Sequence, residues 1–181
     1  MKFNKVLKLL ASIIICEMAG VVGTFFTTPE INSWYSTLNK PAFNPPSWVF
    51  GPVWTALFVL MGVSLYLVWS KDFSIENKIG SSQVKSWNKW SDKFWNGSWQ
   101  KANIILIFGL QLVLNVVWSA IFFGAHNIGA AFFELLMLWV AIVYTIANFY
   151  RVSKWSAYLL VPYIVWVTFA GVLNVTLWLI N

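Results

Sequence analysis

The chain has 181 residues, of which 59% are hydrophobic and only 10% are charged, and its formal net charge is +6. Its mean hydropathy is +0.69. Because a soluble domain has about 25% charged residues, these values exclude an ordinary soluble protein and indicate an integral membrane protein. The single cysteine, Cys16, excludes an internal disulfide and any metal cluster held by several cysteines.

Five apolar runs are each close to the roughly 20 residues that a helix needs to cross the hydrocarbon core. The runs are apolar on all sides, whereas the strands of a membrane barrel alternate in polarity. The sequence therefore predicts an all-α membrane protein with a single domain, a bundle of five transmembrane helices. The first run is long for the apolar core of a signal peptide, so we expect it to stay in the protein. The predicted helices cover about residues 6–26, 49–69, 102–124, 127–150 and 155–180.

The segment that leads into the second helix, residues 34–54, combines prolines with aromatic residues. Pro41, Pro45 and Pro46 fix φ and favour extended backbone at the residues before them, so the loop is predicted not to be helical. Its aromatic side chains are too many for a solvated linker and need a surface to pack on. We therefore predict a structured first loop, named the lid here (residues 34–48), that folds over one end of the bundle.

Residues 70–100 form a polar insert between the second and third predicted helices. Trp87, Trp90 and Trp95 alternate with lysines there, which is typical of an amphipathic segment that lies in the headgroup region. The insert is too small to form a core of its own. Binding of nucleic acid or of a partner protein by the insert is the less favoured alternative.

The positions of lysine and arginine predict the orientation in the membrane. The N-terminus, the insert and the turn at Arg151 and Lys154 carry nearly all of the positive charge, whereas the opposite side has Lys40 alone. The positive-inside rule then places the N-terminus in the cytoplasm, with the lid and the C-terminus outside, in what we expect to be a bacterial cell membrane. This asymmetry also accounts for the net charge, so no nucleic-acid partner is needed to explain it.

Three predicted helices carry polar or aromatic side chains at a spacing that places them on one face. Because polar groups are costly in lipid, these faces either line a cavity for a flat, mostly apolar ligand or hydrogen-bond between helices. The spacing alone leaves both interpretations open. The residues are Trp54, Phe58 and Met61 on the second helix, Gln111, Asn115 and Trp118 on the third, and Tyr163, Trp166, Ala170 and Asn174 on the fifth.

Two acids, Glu17 and Glu134, fall within predicted helices and have no cationic partner at helical spacing. Protonation, amide partners or a position near a helix end would each accommodate them, and a proton relay is the less favoured alternative. His126 lies between the third and fourth helices and is predicted to be a turn residue. The sequence has no metal-ligand pattern, phosphate-binding loop or nucleophile–base pair, so it does not indicate a triad enzyme or a required cofactor.

The chain resembles the TspO/MBR family of tryptophan-rich sensory proteins and translocator proteins, also known as peripheral benzodiazepine receptors. The matching pieces span most of the chain in order and in spacing. They are Trp34-Tyr35, Lys40-Pro41, Phe43, Pro45-Pro46, Trp48-Val49-Phe50 and Pro52-Val53-Trp54 in the lid and second helix, Gln111-Leu112, Leu114-Asn115, Trp118-Ser119 and Phe122-Phe123 in the third helix, and Pro162-Tyr163, Trp166, Phe169-Ala170 and Leu173-Asn174 in the fifth.

This resemblance implies a five-helix bundle, often a homodimer, that binds porphyrins such as protoporphyrin IX. It also implies binding of isoquinoline-carboxamide and benzodiazepine ligands and, in some members, of cholesterol. Some bacterial members promote light-dependent porphyrin breakdown, in which Tyr35 and Trp166 would be the catalytic, redox-active aromatics. The pocket that the resemblance implies lies beneath the first loop and is lined by Tyr35, Pro45, Trp54, Phe58, Gln111, Asn115, Trp118, Trp166, Ala170 and Asn174.

The chain departs from the family pattern in two places. Residues 172–180 lack the tyrosine and the cation of the family's cholesterol motif, so sterol binding is not supported. The polar insert exceeds the short loop usual in the family. The sequence favours a membrane receptor or sensor for porphyrins and similar hydrophobic molecules. A light-dependent porphyrin-degrading enzyme is one alternative, and a transporter is another, which the odd helix count and the lack of a visible repeat disfavour.

Overall fold

The computed structural model describes residues 2–71 and 97–181, and these residues form helices and connecting turns without any strand. Five helical segments in this part of the chain are long and apolar enough to cross a membrane. The predicted all-α fold with five membrane-spanning helices is therefore confirmed. The predicted headgroup segment with Trp87, Trp90 and Trp95 lies outside the described residues.

The first two spanning helices differ slightly from the predicted bounds. Helix α1 (Lys2–Ile31) extends past the predicted end near residue 26 and contains Pro29 in its last turn. There the missing N–H removes a single intrahelical bond, which does not stop the helix. Helix α2 (Phe50–Trp69) follows directly on a 3₁₀ turn at Ser47–Val49.

Helix α3 (Gly97–Ser119) continues through a π-helical turn, Ala120–Gly124, and the chain then reverses into helix α4 (Ile128–Val152). This reversal is the tight turn that the sequence predicted. His126 has a φ of 52° in it, a left-handed conformation that few residues other than glycine adopt. Asn127 caps α4, because its side chain accepts a hydrogen bond of 2.9 Å from the Ala130 N–H.

The fifth predicted helix consists of two pieces. A short helix, Lys154–Leu159, precedes helix α5 (Val161–Ile180). Pro162 stands at the start of α5, where a backbone N–H has no intrahelical partner to lose. The chain therefore bends at Leu160 and still crosses the bundle once.

The lid corrects one prediction, because it is not wholly non-helical. Trp34–Thr37 form a single helical turn, which ends before Pro41 and so does not conflict with the proline restriction. From within this turn, the Tyr35 hydroxyl donates to Asn44 Oδ1, which lies further along the lid (2.7 Å). Asn44 Nδ2 in turn donates to the Pro45 carbonyl (3.0 Å). The lid thus has a defined conformation, as predicted.

Contacts at two places attach the lid to α5, one near the middle of the helix and one at its C-terminal end. The Phe43 ring packs edge-on against Phe169, with 6.4 Å between centroids. The Asn39 N–H donates to Asn181 Oδ1 (2.9 Å), and Asn181 Nδ2 donates back to the Asn39 carbonyl (3.1 Å). The lid therefore covers the end of the bundle at which α1 and α5 end and α2 and α4 begin.

Helix α1 packs on α2 and α3, and α4 packs on α3 and α5. The contact between α1 and α2 depends on glycine. A Cβ at Gly62 would lie 2.5 Å from Ile13 Cα, and a Cβ at Gly20 would lie 2.6 Å from Phe58 Cε2. Such close approach between helices is favoured by small residues in membranes, where dispersion contacts replace the hydrophobic effect.

The outward faces of the helices are apolar. Leu106, Val140, Val165 and Leu179 have exposed fractions of 68%, 62%, 62% and 78%. Apolar side chains exposed on several helices of one bundle suit contact with lipid tails rather than with water. Together with the five spanning helices, this surface identifies the chain as an integral membrane protein.

Candidate functional site

A cavity of about 290 Å³ lies below the lid, between α1, α2, α3 and α5. Small-molecule sites usually measure about 300–1,000 Å³, so the cavity is at the lower end of that range. The lining residues are Glu17, Gly20, Val21, Gly23, Thr24, Thr27, Thr28 and Ile31 on α1, Tyr35 and Ser47 of the lid, Phe50, Gly51, Trp54, Thr55 and Phe58 on α2, Asn115, Trp118, Ser119 and Phe122 on α3 and its π-helical turn, and Trp166, Ala170, Leu173, Asn174 and Leu177 on α5.

Most of the predicted pocket residues lie around this one cavity. Pro45 and Gln111 are the exceptions. Gln111 is fully buried one turn below Asn115, so it lies deeper in the bundle than the cavity reaches. Pro45 is half-buried within the lid, away from the cavity wall. The residues that do line the cavity are Tyr35, Trp54, Phe58, Asn115, Trp118, Trp166, Ala170 and Asn174.

Aromatic pairs form the walls. Trp118 stacks on Phe122 with 5.0 Å between centroids, and Trp54 lies 5.7 Å from Phe58. On the opposite side, Trp166 packs against Phe50 at 6.1 Å. The walls therefore present aromatic surfaces, which suit a planar apolar molecule.

Several polar groups in the cavity wall have no hydrogen-bond partner among the described residues. They are the indole N–H groups of Trp118 and Trp166 and the whole side-chain amide of Asn174, all shielded from solvent. Buried polar groups are almost always paired in proteins, and leaving one unpaired costs about 1–3 kcal/mol. These groups are unpaired donors and acceptors of residues that line the cavity.

Asn115 is different, because it makes a hydrogen bond between helices. Its Nδ2 donates to the Tyr163 hydroxyl (3.1 Å), which is completely buried on α5. Asn115 nevertheless lines the cavity as well. The two interpretations that the spacing left open thus apply to different residues: Asn115 on α3 joins two helices, and Asn174 on α5 lines the cavity with its amide unpaired among the described residues.

The two membrane acids occupy different places. Glu17 lies in the cavity wall, and its Oε1 has no partner in the described part of the chain. Glu134 is 3% exposed, and neither of its oxygens has a partner there either, but it does not line the cavity. Within residues 2–71 and 97–181 no group of His, Cys, Asp and Glu side chains could hold a metal ion.

Tyr35 lines the cavity at its lid end. Burial raises the pKa of its phenol above the ordinary value of 10.0, because a phenolate would lose hydration there. The hydroxyl therefore stays a donor to Asn44 Oδ1 at neutral pH. The Nζ of Lys40 lies 4.8 Å from the centre of the Tyr35 ring, which places a positive charge beside the mouth of the cavity.

The sequence prediction missed the wall that α1 provides. Glu17, Gly20, Thr24 and Ile31 recur at intervals of three, four and seven residues and share one helix face. This spacing is present in the sequence and could have indicated a cavity wall. The same face also serves helix packing, because Gly20 lies against Phe58.

Sequence comparisons agree with this architecture. The profile of the TspO/MBR family matches residues 12–179. The chain is 36% identical over 176 residues to the tryptophan-rich protein TspO of Archaeoglobus fulgidus, which covers 97% of this chain and 98% of the relative. It is 38% identical over 179 residues to the protein of the same name from Chlorobaculum tepidum, with 98% of each chain covered. It is also 37% identical over 158 residues to the human translocator protein, with 87% of this chain and 80% of the relative covered.

Proposed function

Because this chain belongs to the TspO/MBR family, we propose that it is a membrane receptor that binds porphyrins and related flat, hydrophobic molecules in the cavity below the lid. One observation carries the proposal. The cavity has aromatic walls, and its lining residues Trp118, Trp166 and Asn174 carry polar groups without a partner among the described residues. A tetrapyrrole presents a flat apolar ring to such walls and polar atoms to such groups.

The test is a titration with protoporphyrin IX in the dark, with the protein in lipid nanodiscs and the shift of the porphyrin absorbance band as the signal. Asn174→Leu and Trp166→Phe each remove an unpartnered polar group from the cavity wall. We expect each to weaken binding by about tenfold, the effect of losing roughly 1.4 kcal/mol. Wild-type affinity in both variants would contradict the proposal.

Matched controls exist on the lipid-facing side. Trp139 donates to Thr168 Oγ1 (3.0 Å), and Asn148 donates to the Tyr144 carbonyl (2.8 Å), both away from the cavity. Trp139→Phe and Asn148→Leu make the same chemical changes outside the site and should leave the affinity unchanged. Thermal unfolding of all four variants identifies any loss of binding that comes from loss of fold.

Light-dependent porphyrin breakdown is the second candidate, because both predicted redox-active aromatics, Tyr35 and Trp166, line the same cavity. In this reaction an excited porphyrin would take one electron from either ring and pass it to dioxygen, and the oxidised ring would recover an electron by oxidising the porphyrin. The test compares product formation under illumination for wild type, Tyr35→Phe and Trp166→Phe at equal porphyrin occupancy. Unchanged product formation in both variants rules this mechanism out, and no product from the wild type favours the receptor.

The orientation and the oligomeric state belong to the same proposal. We place the lid outside the cell and the turn at Lys154 in the cytoplasm, on the basis of the lysine and arginine asymmetry. In a Cys16→Ala background, a membrane-impermeant thiol reagent should label Ala42→Cys in intact cells and should label Lys154→Cys only after lysis. The homodimer that the family implies is checked by the mass of the protein in detergent, measured by light scattering.

A further inference from the structure

We infer that Glu17 sets the orientation of the bound ligand. Glu17 receives an N–H or ammonium group of the ligand deep in the cavity, and carboxylates of the ligand stay at the lid, beside Lys40. This inference rests on the proposed function of the cavity as a ligand site. It assigns a direction to the bound molecule, which the shape of the cavity alone does not.

Glu17 stands at the deep end of the wall that α1 provides. The lining residues of α1 run from Glu17 to Ile31, which is about 21 Å along a helix that rises about 1.5 Å per residue. Ile31 is the last residue of α1 and lies next to the lid. A ligand that enters below the lid therefore meets Glu17 only with the part that reaches furthest into the membrane.

The carboxyl group has an unused acceptor. Glu17 Oε1 is shielded from solvent and has no hydrogen-bond partner among the described residues. An oxygen in this position accepts a hydrogen bond whether the group is ionised or protonated. A donor on the ligand would supply the bond that the protein leaves unmade, and the bond is strongest when the donor is a cation.

Charge in the cavity points the same way. Of the described residues that line it, Glu17 is the one acid, and none is Lys, Arg or His. A carboxylate of the ligand placed beside Glu17 would face a like group with no cation to offset it, in an environment of low dielectric. At the mouth, in contrast, Lys40 Nζ lies 4.8 Å from the Tyr35 ring and donates to the Ser36 carbonyl (3.3 Å). The deep end of the cavity thus has an acidic side chain, and the lid end has a positive charge beside it.

Glu134 provides a matched control. It is also a membrane acid without a partner among the described residues, but it does not line the cavity. Glu134→Gln therefore makes the same chemical change as Glu17→Gln at a place that the ligand does not reach. A general effect of removing an unpaired acid from the bundle should appear in both variants. An effect on ligand binding should appear in Glu17→Gln alone.

The experiment uses three porphyrins that share one ring: protoporphyrin IX, its dimethyl ester, and its diamide with two aminoethyl groups. They are titrated into the full-length protein in nanodiscs of neutral lipid. Glu17→Gln should weaken binding of the ammonium derivative about tenfold or more, the loss of a hydrogen bond to a charged group, and should not weaken binding of the dicarboxylate. Lys40→Gln should weaken binding of the dicarboxylate alone, and Glu134→Gln should leave the order of the three affinities unchanged.

Equal changes for all three porphyrins in Glu17→Gln, or no change, would overturn the inference and leave the receptor proposal intact. If the wild type binds no porphyrin, the proposed ligand class is wrong, and the inference is tested with two naphthalene probes that differ only in an amine or a carboxylate. Preference for the amine that disappears in Glu17→Gln then supports the inference by itself, and absence of that preference overturns it. If Glu17→Gln does not fold, Glu17→Asp keeps the charge and must keep a weaker form of the same preference.

Discussion

His126 Nε2 lies 3.1 Å from Glu30 Oε2, and the same imidazole ring stacks on Trp34 with 4.4 Å between centroids and 11° between planes. Three parts of the chain meet at this histidine: the end of α1, the first turn of the lid, and the turn between α3 and α4. His126 has a left-handed backbone conformation, and its side chain reaches from that turn to Trp34 and Glu30. This cluster therefore holds the lid at a second place, apart from the hydrogen bond between Asn39 and Asn181.

His126→Asn should loosen the lid. Asparagine tolerates the left-handed conformation, so the backbone is kept while the stacking on Trp34 and the contact with Glu30 are lost. We expect faster cleavage of the lid by a protease added to the protein in nanodiscs. Glu30→Gln keeps the stacking of His126 on Trp34 and changes only the contact between positions 30 and 126, so its effect should be smaller. Wild-type resistance to cleavage in His126→Asn would show that the cluster does not hold the lid.

Gly62→Ala should destabilise the bundle by about 1–3 kcal/mol, the usual cost of overpacking. The new methyl group would lie 2.5 Å from Ile13 Cα, which is backbone and moves only if α1 moves. The measurement is thermal unfolding in detergent. Gly109→Ala is the control, because a Cβ there has no neighbour within 4 Å, and it should unfold at or above the wild-type temperature. Equal stability of the two variants would contradict the packing of α1 on α2.

Ser64→Ala should lower the stability by about 0.5–1.5 kcal/mol, the net contribution of one hydrogen bond. The Ser64 hydroxyl donates to the Ser156 carbonyl (2.7 Å), and both residues are completely buried. This bond joins α2 to the short helix before α5. Thr176→Ala is the comparison, since Thr176 is bonded only to the Val172 carbonyl of its own helix. A larger loss in Thr176→Ala than in Ser64→Ala would argue against the bond between α2 and the short helix.

Tyr35 should ionise at a higher pH than a free tyrosine. Burial raises its pKa above 10.0, so the folded state favours the neutral phenol. The contribution of Tyr35 to stability is therefore fully present below pH 10.0 and is lost as the pH rises through the raised pKa. The difference in ultraviolet absorbance between wild type and Tyr35→Phe, followed through alkaline pH, isolates this group. A difference curve with its midpoint at or below that of free tyrosine amide would contradict the burial.

The five helices were predictable because membrane spans are recognised by length and apolarity alone, and neither depends on tertiary contacts. The helical turn at Trp34–Thr37 was not predictable from the prolines. Proline restricts the residue before it, and Pro41 is too far along the chain to affect Tyr35. Where a short segment packs over a bundle, its conformation is decided by the contacts it makes.

The sequence predicted which face of each helix the candidate site uses, but not how far along the helix the cavity extends. Helical spacing places Gln111, Asn115 and Trp118 on one face, but it does not say where along that face a cavity ends. Asn115 and Trp118 line the cavity, and Gln111 lies below it. The depth is set by the bulk of side chains on neighbouring helices, such as Phe58 against Gly20, and a single sequence does not reveal those pairings.

The π-helical turn at Ala120–Gly124 has a consequence for how the chain length can vary. A π turn holds one residue more than an α turn, and that residue is accommodated as a local widening of the helix. Removal of one residue from this stretch would restore an α turn and leave the flanking faces in the same rotational phase. The same removal in the middle of α3 would rotate everything beyond it by about 100° and would turn Trp118 away from the cavity. Phe122 and Phe123 are buried in this π-helical turn. The turn is thus the place in this helix where a residue can be gained or lost during evolution without rotating the side chains that line the cavity.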